Sequence, residues 1–163
     1  MIRQATEADL STIVEIYNST IPDRLATADL NPVSIASKKS WFSDRDWLTR
    51  PLWVFERDSQ VAGWLSFQSF YGRPAYGHTA EVSVYVANAY RRQGIGRQLL
   101  QQAIVQSPQL KIKTLLGFIF AHNQPSLKLF EQHHFSQWGY LPQIAELDGI
   151  ERDLIIVGRR LLT

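Results

Sequence analysis

EVSVYVANAYRRQGIGRQLL, residues 81–100, changes its period half-way along. Val82, Val84 and Val86 alternate with their neighbours, as one face of a buried strand does. Leu99, Leu100, Ala103 and Ile104 repeat with helical spacing. Between them lies a short loop carrying Arg91, Arg92, Gly94 and Gly96. Strand, glycine loop and helix in that order make an anion site. The first helical turn has N–H groups without partners, its dipole favours negative charge, and glycine lets a ligand come close. Arginines beside the loop point to a ligand with more than one phosphate, and the pyrophosphate of an acyl-CoA fits.

Composition narrows the alternatives. A chain of 163 residues with 45% hydrophobic content has material for one domain with a real core. A charged fraction of 20%, five Trp and six Tyr argue against disorder. The net charge of +2 is too small and too dispersed to make nucleic acid the default partner. The absence of cysteine excludes disulfides, thiolate metal sites and a catalytic thiol. No apolar run approaches the length of a membrane span, and Met1-Ile2-Arg3 leads into a polar segment without the pattern of a signal peptide. The expectation is a cytoplasmic protein without membrane contact.

Outward from the central stretch, the order of elements follows from periodicity and punctuation. Residues 2–5 read as a short strand, and Thr6 with Asp9 as a capping box for a helix whose apolar face is Leu10, Ile13, Val14 and Tyr17. Asn31-Pro32 reads as the start of a second helix ending near Trp41-Phe42. Residues 52–57 and 61–70 read as an antiparallel pair about Asp58-Ser59. Pro108 ends the helix of the central stretch, and residues 115–120 form a continuous apolar strand. Asn123-Gln124-Pro125-Ser126 opens a short helix, and strands around 136–147 and 153–159 flank a hairpin signal at Asp148-Gly149. With no repeat or linker, one mixed α/β domain over residues 1–163 is the expectation.

Two other glycine loops are excluded by spacing. A nucleoside-triphosphate loop needs Gly-Lys followed by Ser or Thr, and here Gly96 is followed by Arg97-Gln98. A dinucleotide fingerprint needs a glycine at position 99, which is Leu. By contrast, Arg91-Arg92-Gln93-Gly94-Ile95-Gly96 ahead of Leu99-Leu100 resembles the cofactor motif of the GNAT acetyltransferase superfamily. Arg73-Pro74-Ala75-Tyr76, Thr79, Glu81, Ser83-Val84-Tyr85-Val86, Asn123 and Ser126-Leu127-Lys128-Leu129-Phe130-Glu131 resemble its phosphinothricin-type N-acetyltransferases. The likeness runs from about residue 2 to residue 161.

That resemblance implies the GNAT fold, a central mixed sheet splayed at the cofactor strand and flanked by helices. It also implies acetyl-CoA as co-substrate, lodged between the central strand and the strand at 115–120. Backbone groups of Val84 and Val86 would hold the pantetheine arm and the thioester carbonyl. The N–H groups of Arg92, Gln93, Gly94, Ile95, Gly96 and Arg97 would hold the pyrophosphate beside Arg91, with Asn123 and Ser126 meeting the arm. Arg73, Tyr76 and Glu81 would face a small amine substrate, and a homodimer is the family expectation.

The chemistry asks for a base, because a free amine is mostly ammonium at neutral pH. Glu81 is the candidate, with the Val86 N–H as oxyanion donor. The proton donor to the leaving thiolate is the gap in the pattern. Phe130 stands where relatives carry tyrosine or histidine, so either Tyr85 substitutes or the thiolate leaves unassisted and takes a proton from water. Arg73 could clamp a carboxylate or phosphinate, favouring an amino acid or an analogue such as phosphinothricin, methionine sulfoximine or methionine sulfone. Thr27-Ala28-Asp29 departs from the Thr-Phe and Glu of herbicide-acetylating members, and Trp41 could supply the missing aromatic. A peptide acetyltransferase and a non-catalytic acyl-CoA sensor are the competing functions. No metal is expected: His133 and His134 are adjacent on a helix and point about 100° apart.

Overall fold

In the computed structural model, which describes residues 1–161, the strands are β1 (Ile2–Gln4), β2 (Leu52–Arg57), β3 (Gln60–Ser69), β4 (Thr79–Val86), β5 (Thr114–Phe120), β6 (Ser136–Leu147) and β7 (Ile150–Arg160). The helices are α1 (Leu10–Thr20), α2 (Ile35–Ser43), α3 (Ile95–Gln106) and α4 (Gln124–Gln132). Residues 162–163 of the expected domain lie outside the described residues. The strands form one mixed sheet in the order β1-β2-β3-β4-β5-β7-β6, antiparallel except where β4 meets β5.

Strand alternation sorts the side chains onto two faces. Leu52, Val54, Trp64 and Tyr85 face α1 and α2, packing with Leu10, Ile13 and Val14. Phe55, Leu65, Phe67, Val82 and Leu115 face the other way, against Leu99, Leu100 and Ala103 of α3 and Phe130 of α4. The Trp64 indole donates to the carbonyl of Ile13 at 3.1 Å, which satisfies its one polar atom inside the first of these cores.

The turns carry the chemistry their positions require. Asp58 and Ser59 both adopt positive φ, 53° and 60°, between β2 and β3. Asp148 and Gly149 do the same at 54° and 79° between β6 and β7. This is the backbone of a primed two-residue hairpin, whose twist matches that of its strands. Pairing therefore continues up to the turn, Leu147 opposite Ile150, so β7 begins three residues before the expected 153.

Two helix starts differ in detail from the sequence expectation. Asp9 accepts from the Thr6 N–H at 2.8 Å as a capping box requires, but residues Glu7–Asp9 form a 3-10 turn and α1 proper begins at Leu10. The second helix begins at Ile35, capped by Ser34 accepting from the Ser37 N–H at 3.1 Å, and not at Asn31-Pro32. The reason is Asn18. Its amide takes both the carbonyl and the N–H of Val33, each at 2.9 Å, which holds the segment before the helix away from helical pairing.

Candidate active site

The strands β4 and β5 are paired only at Thr79 with Thr114, Ala80 with Leu115 and Glu81 with Leu116. Beyond Glu81 they part. On its other side β4 stays paired with β3 as far as Val86 opposite Gly63, and the Ala87 N–H donates to the carbonyl of Ala62 at 2.8 Å. Antiparallel pairing sends alternate residues' backbone groups to opposite edges. Since Ala87 points at β3, Val82, Val84 and Val86 point at the open side. The His78 carbonyl, on the same parity, accepts from Thr114 of β5 and agrees.

The opening is a cleft of about 500 Å³. Its walls are Val82 and Val84 on one side and Phe118, Ile119 and Phe120 on the other. Asn123, Ser126 and Phe130 of the α4 region close one end, and residues 25–28 run across it. Above the cleft, α3 starts from Gly94, whose φ of 78° only glycine adopts without strain. The first N–H to reach back along this helix is that of Gln98, to the Gly94 carbonyl at 3.0 Å. The N–H groups of Ile95, Gly96 and Arg97 therefore have no acceptor in the helix. Gly96 packs close: a Cβ there would lie 3.7 Å from both Val84 and Val86 side chains.

The side chains of the loop do other work than its backbone. Ile95 is buried in the core, so only its N–H is available to a ligand. Gln93 accepts from the Arg57 guanidinium at 2.6 Å and braces the loop. Arg91 stands 3.8 Å from Asp23, and Arg97 lines a separate cavity with Gln132 and His134. Arg92 is exposed, with φ at 62°.

A second cavity, about 210 Å³, lies on the other face of β4, under α1 and α2. Aromatic rings of Tyr17, Trp41, Trp64 and Tyr85 wall it, with Lys38 beside them and Ser66 and Gln68 across from them. Glu81, Ser83 and Tyr85 belong to both cavities. Glu81 makes no ion pair or side-chain hydrogen bond among the described residues, and burial pushes its carboxyl above the ordinary range. Arg73 caps and Tyr76 ends a 3-10 turn, Pro74–Tyr76, and the two line neither cavity; Tyr76 packs on Phe70 at 5.2 Å between ring centroids.

The family model described as Acetyltransferase (GNAT) family matches residues 13–135. The chain is 52% identical over 161 residues to YwnH of Bacillus subtilis (strain 168), provisionally named a phosphinothricin acetyltransferase, covering 98% of both chains. It is 30% identical to an L-methionine sulfoximine/L-methionine sulfone acetyltransferase of Pseudomonas aeruginosa, over 94% of this chain and 90% of that one. The crystal structure of a phosphinothricin acetyltransferase from Sinorhizobium meliloti in complex with AcCoA superposes with a TM-score of 0.92 at 26% identity, over 99% of this chain and 88% of that one. This chain belongs to the GNAT acetyltransferase family.

In this GNAT acetyltransferase the strap over the cleft, residues 25–28, is pinned from the α4 side. The Asn123 amide donates to the Leu25 carbonyl at 3.1 Å and accepts from the Ser126 N–H at 3.3 Å, capping α4. His122 meets the Arg24 carbonyl at 2.7 Å, and Arg24 pairs with Asp148 at 2.9 Å. Both polar ends of Asn123 are thus engaged inside the protein. Asn123→Ala should cost about 2 kcal/mol, one lost cap and one lost buried donor, read as a lower urea midpoint. Asn123→Asp, which keeps the cap acceptor, should recover part of the loss.

Sequence reasoning missed Tyr17 and Lys38. The Tyr17 hydroxyl reaches Thr27 at 2.5 Å and also Asp29, tying the strap to α1. Burial and Asp29 push that phenol up to about 12. Ala28, whose smallness breaks the family pattern, lies on the cleft, while Trp41 lies in the smaller cavity. The available signal was the spacing of Lys38 and Trp41, three apart on one helix face beside the predicted core helix.

Proposed function

We propose that the protein is an acetyl-CoA-dependent N-acetyltransferase for the primary amine of a small amino acid or analogue, of the phosphinothricin, methionine sulfoximine or methionine sulfone type. The observation that carries this reading is the position of Glu81. It stands at the last paired residue of β4 and β5 and opens on both cavities. One cavity has the open strand edge and helix start suited to a CoA thioester. The other, of about 210 Å³, suits a small acceptor and not a folded peptide. The names of the relatives, amino-acid-analogue acetyltransferases among them, support the same acceptor class.

Bound acetyl-CoA supplies an acetyl thioester. Glu81, unpaired and with a raised pKa, takes a proton from the acceptor ammonium and frees its lone pair. The N–H of Val86, turned to the open side of β4, stabilises the oxyanion formed as the amine adds to the carbonyl. Arg91, Arg92 and the N–H groups of Gln93, Gly94, Ile95, Gly96 and Arg97 hold the pyrophosphate, and Val84 and Ser126 the arm. Phe130 is buried between Gly117 and Phe135 and offers no proton. Tyr85, which lines both cavities, carries a phenol on the shared wall to serve the leaving thiolate. Burial pushes its phenol well up, so it is protonated at neutral pH. Tyr85→Phe should lower kcat about tenfold with the acceptor KM unmoved, measured by steady-state kinetics; unchanged kinetics would remove Tyr85 from the mechanism.

The test of the activity is thiol release from acetyl-CoA with a panel of amino acids, sulfones, sulfoximines, polyamines and peptides. Turnover confined to amino acids and their analogues is expected. Tight acetyl-CoA binding without turnover would replace the enzyme by a sensor, and turnover with peptides alone would replace the acceptor class. A cytoplasmic homodimer belongs to the same proposal, and light scattering at micromolar concentration checks the dimer.

A further inference from the structure

We propose that Lys38 is the anion anchor of the acceptor cavity, binding the carboxylate of the substrate whose ammonium meets Glu81. The inference rests on the amino-acid reading above and assigns its specificity to one side chain. Lys38 lies in the same 210 Å³ cavity as Glu81. Its ammonium sits 5.6 Å from the Tyr17 ring centroid and 5.5 Å from that of Trp41. Among the described residues it has no carboxylate within ion-pair distance. Two aromatic faces hold a cation in place without neutralising it. The charge is left for a ligand.

A second cation stands behind the same wall. Arg45 stacks on Trp41, its guanidinium carbon 4.8 Å from the ring centroid, and donates at 3.3 Å to the hydroxyl of Ser66, which lines the cavity. Its remaining contacts are backbone carbonyls of Arg50 and Phe67, at 2.9 and 2.7 Å, and no carboxylate. The cavity and its backing thus hold two cations, Lys38 and Arg45, neither paired with a carboxylate among the described residues, together with Glu81 in the cavity and Asp29 on the Tyr17 hydroxyl behind it. A zwitterion oriented with its ammonium at Glu81 and its anionic group at Lys38 matches that arrangement. An amine without an anionic group leaves Lys38 unanswered in a site from which it must displace water. Arg73, which the sequence pattern would make the clamp, lines neither cavity.

The experiment compares methionine sulfone with its carboxamide, which keeps the amine and removes the charge. Both are assayed by thiol release from acetyl-CoA with wild type, Lys38→Met and Lys38→Arg. Wild type should favour the carboxylate. Lys38→Met should raise its KM about ten- to a hundredfold, leave kcat within roughly threefold, and leave the carboxamide KM unmoved. Lys38→Arg should keep the preference for the carboxylate. Equal losses on both acceptors would make Lys38 a packing residue, and no loss on either would free it from any role; both overturn the anchor while leaving amino-acid acetylation standing. If wild type turns over neither acceptor nor any other amino acid, the functional reading falls, and the anchor with it.

Discussion

Glu81→Gln should lower kcat with an amino-acid acceptor by about a hundred- to ten-thousandfold, the usual range for removal of a positioned base. The substitution is nearly isosteric, so it leaves the wall of both cavities in place. The pH profile separates this loss from a packing defect. Burial raises the Glu81 carboxyl above its ordinary value, and only the carboxylate can accept a proton. Wild-type kcat/KM should therefore rise as pH climbs through that raised value, and the limb should vanish in the glutamine variant. Stability should move the other way. An acid that holds its proton more tightly when folded stabilises least above both pKa values and most below the unfolded one. At neutral pH the carboxylate is a desolvated, unpaired charge, and the neutral amide relieves it. The variant's Tm should stay level or rise by roughly 1–3 °C. A fall in Tm with kcat within tenfold of wild type would show that Glu81 holds the structure and not the proton.

The loop from Arg91 to Arg97 was legible in the sequence because glycine, strand period and helix period each constrain the backbone locally. The same is true of the two hairpins, where Asp58-Ser59 and Asp148-Gly149 take the positive φ values that close them. The acceptor cavity was not legible. Its walls come from α1, α2, β3 and β4, and the helical spacing of Tyr17, Lys38 and Trp41 marks packed faces without saying that they meet Glu81. Asn123 shows an intermediate case. Its place before Pro125 announces a cap, but the hydrogen bond to Leu25 depends on a strap 98 residues away in the chain. Arg73 and Tyr76 went to the acceptor by likeness alone, and the local preference of Arg73-Pro74-Ala75-Tyr76 for a tight turn carries them off the two cavities.

Gly94→Trp tests the donor half by filling the space in front of α3. A side chain at Gly94 meets nothing of the core: the nearest atom to its added Cβ is Gln98 Nε2 at 4.0 Å. The fold should survive. The left-handed φ of 78° costs a residue with a Cβ about 1 kcal/mol, or roughly 2–4 °C in Tm. Gly94→Ala bears that same strain without the bulk, so the pair separates backbone cost from obstruction. The indole would stand over the N–H groups of Ile95, Gly96 and Arg97, the ones that no helical carbonyl satisfies. Acetyl-CoA binding by calorimetry should weaken at least about a hundredfold in Gly94→Trp and much less in Gly94→Ala, because charge-assisted contacts to phosphate are individually strong. Circular dichroism should match wild type in both. If the tryptophan variant is folded and binds acetyl-CoA as wild type does, the helix start is not the pyrophosphate site. The open edge of β4 beyond Glu81 would then have to hold the ligand by its arm alone.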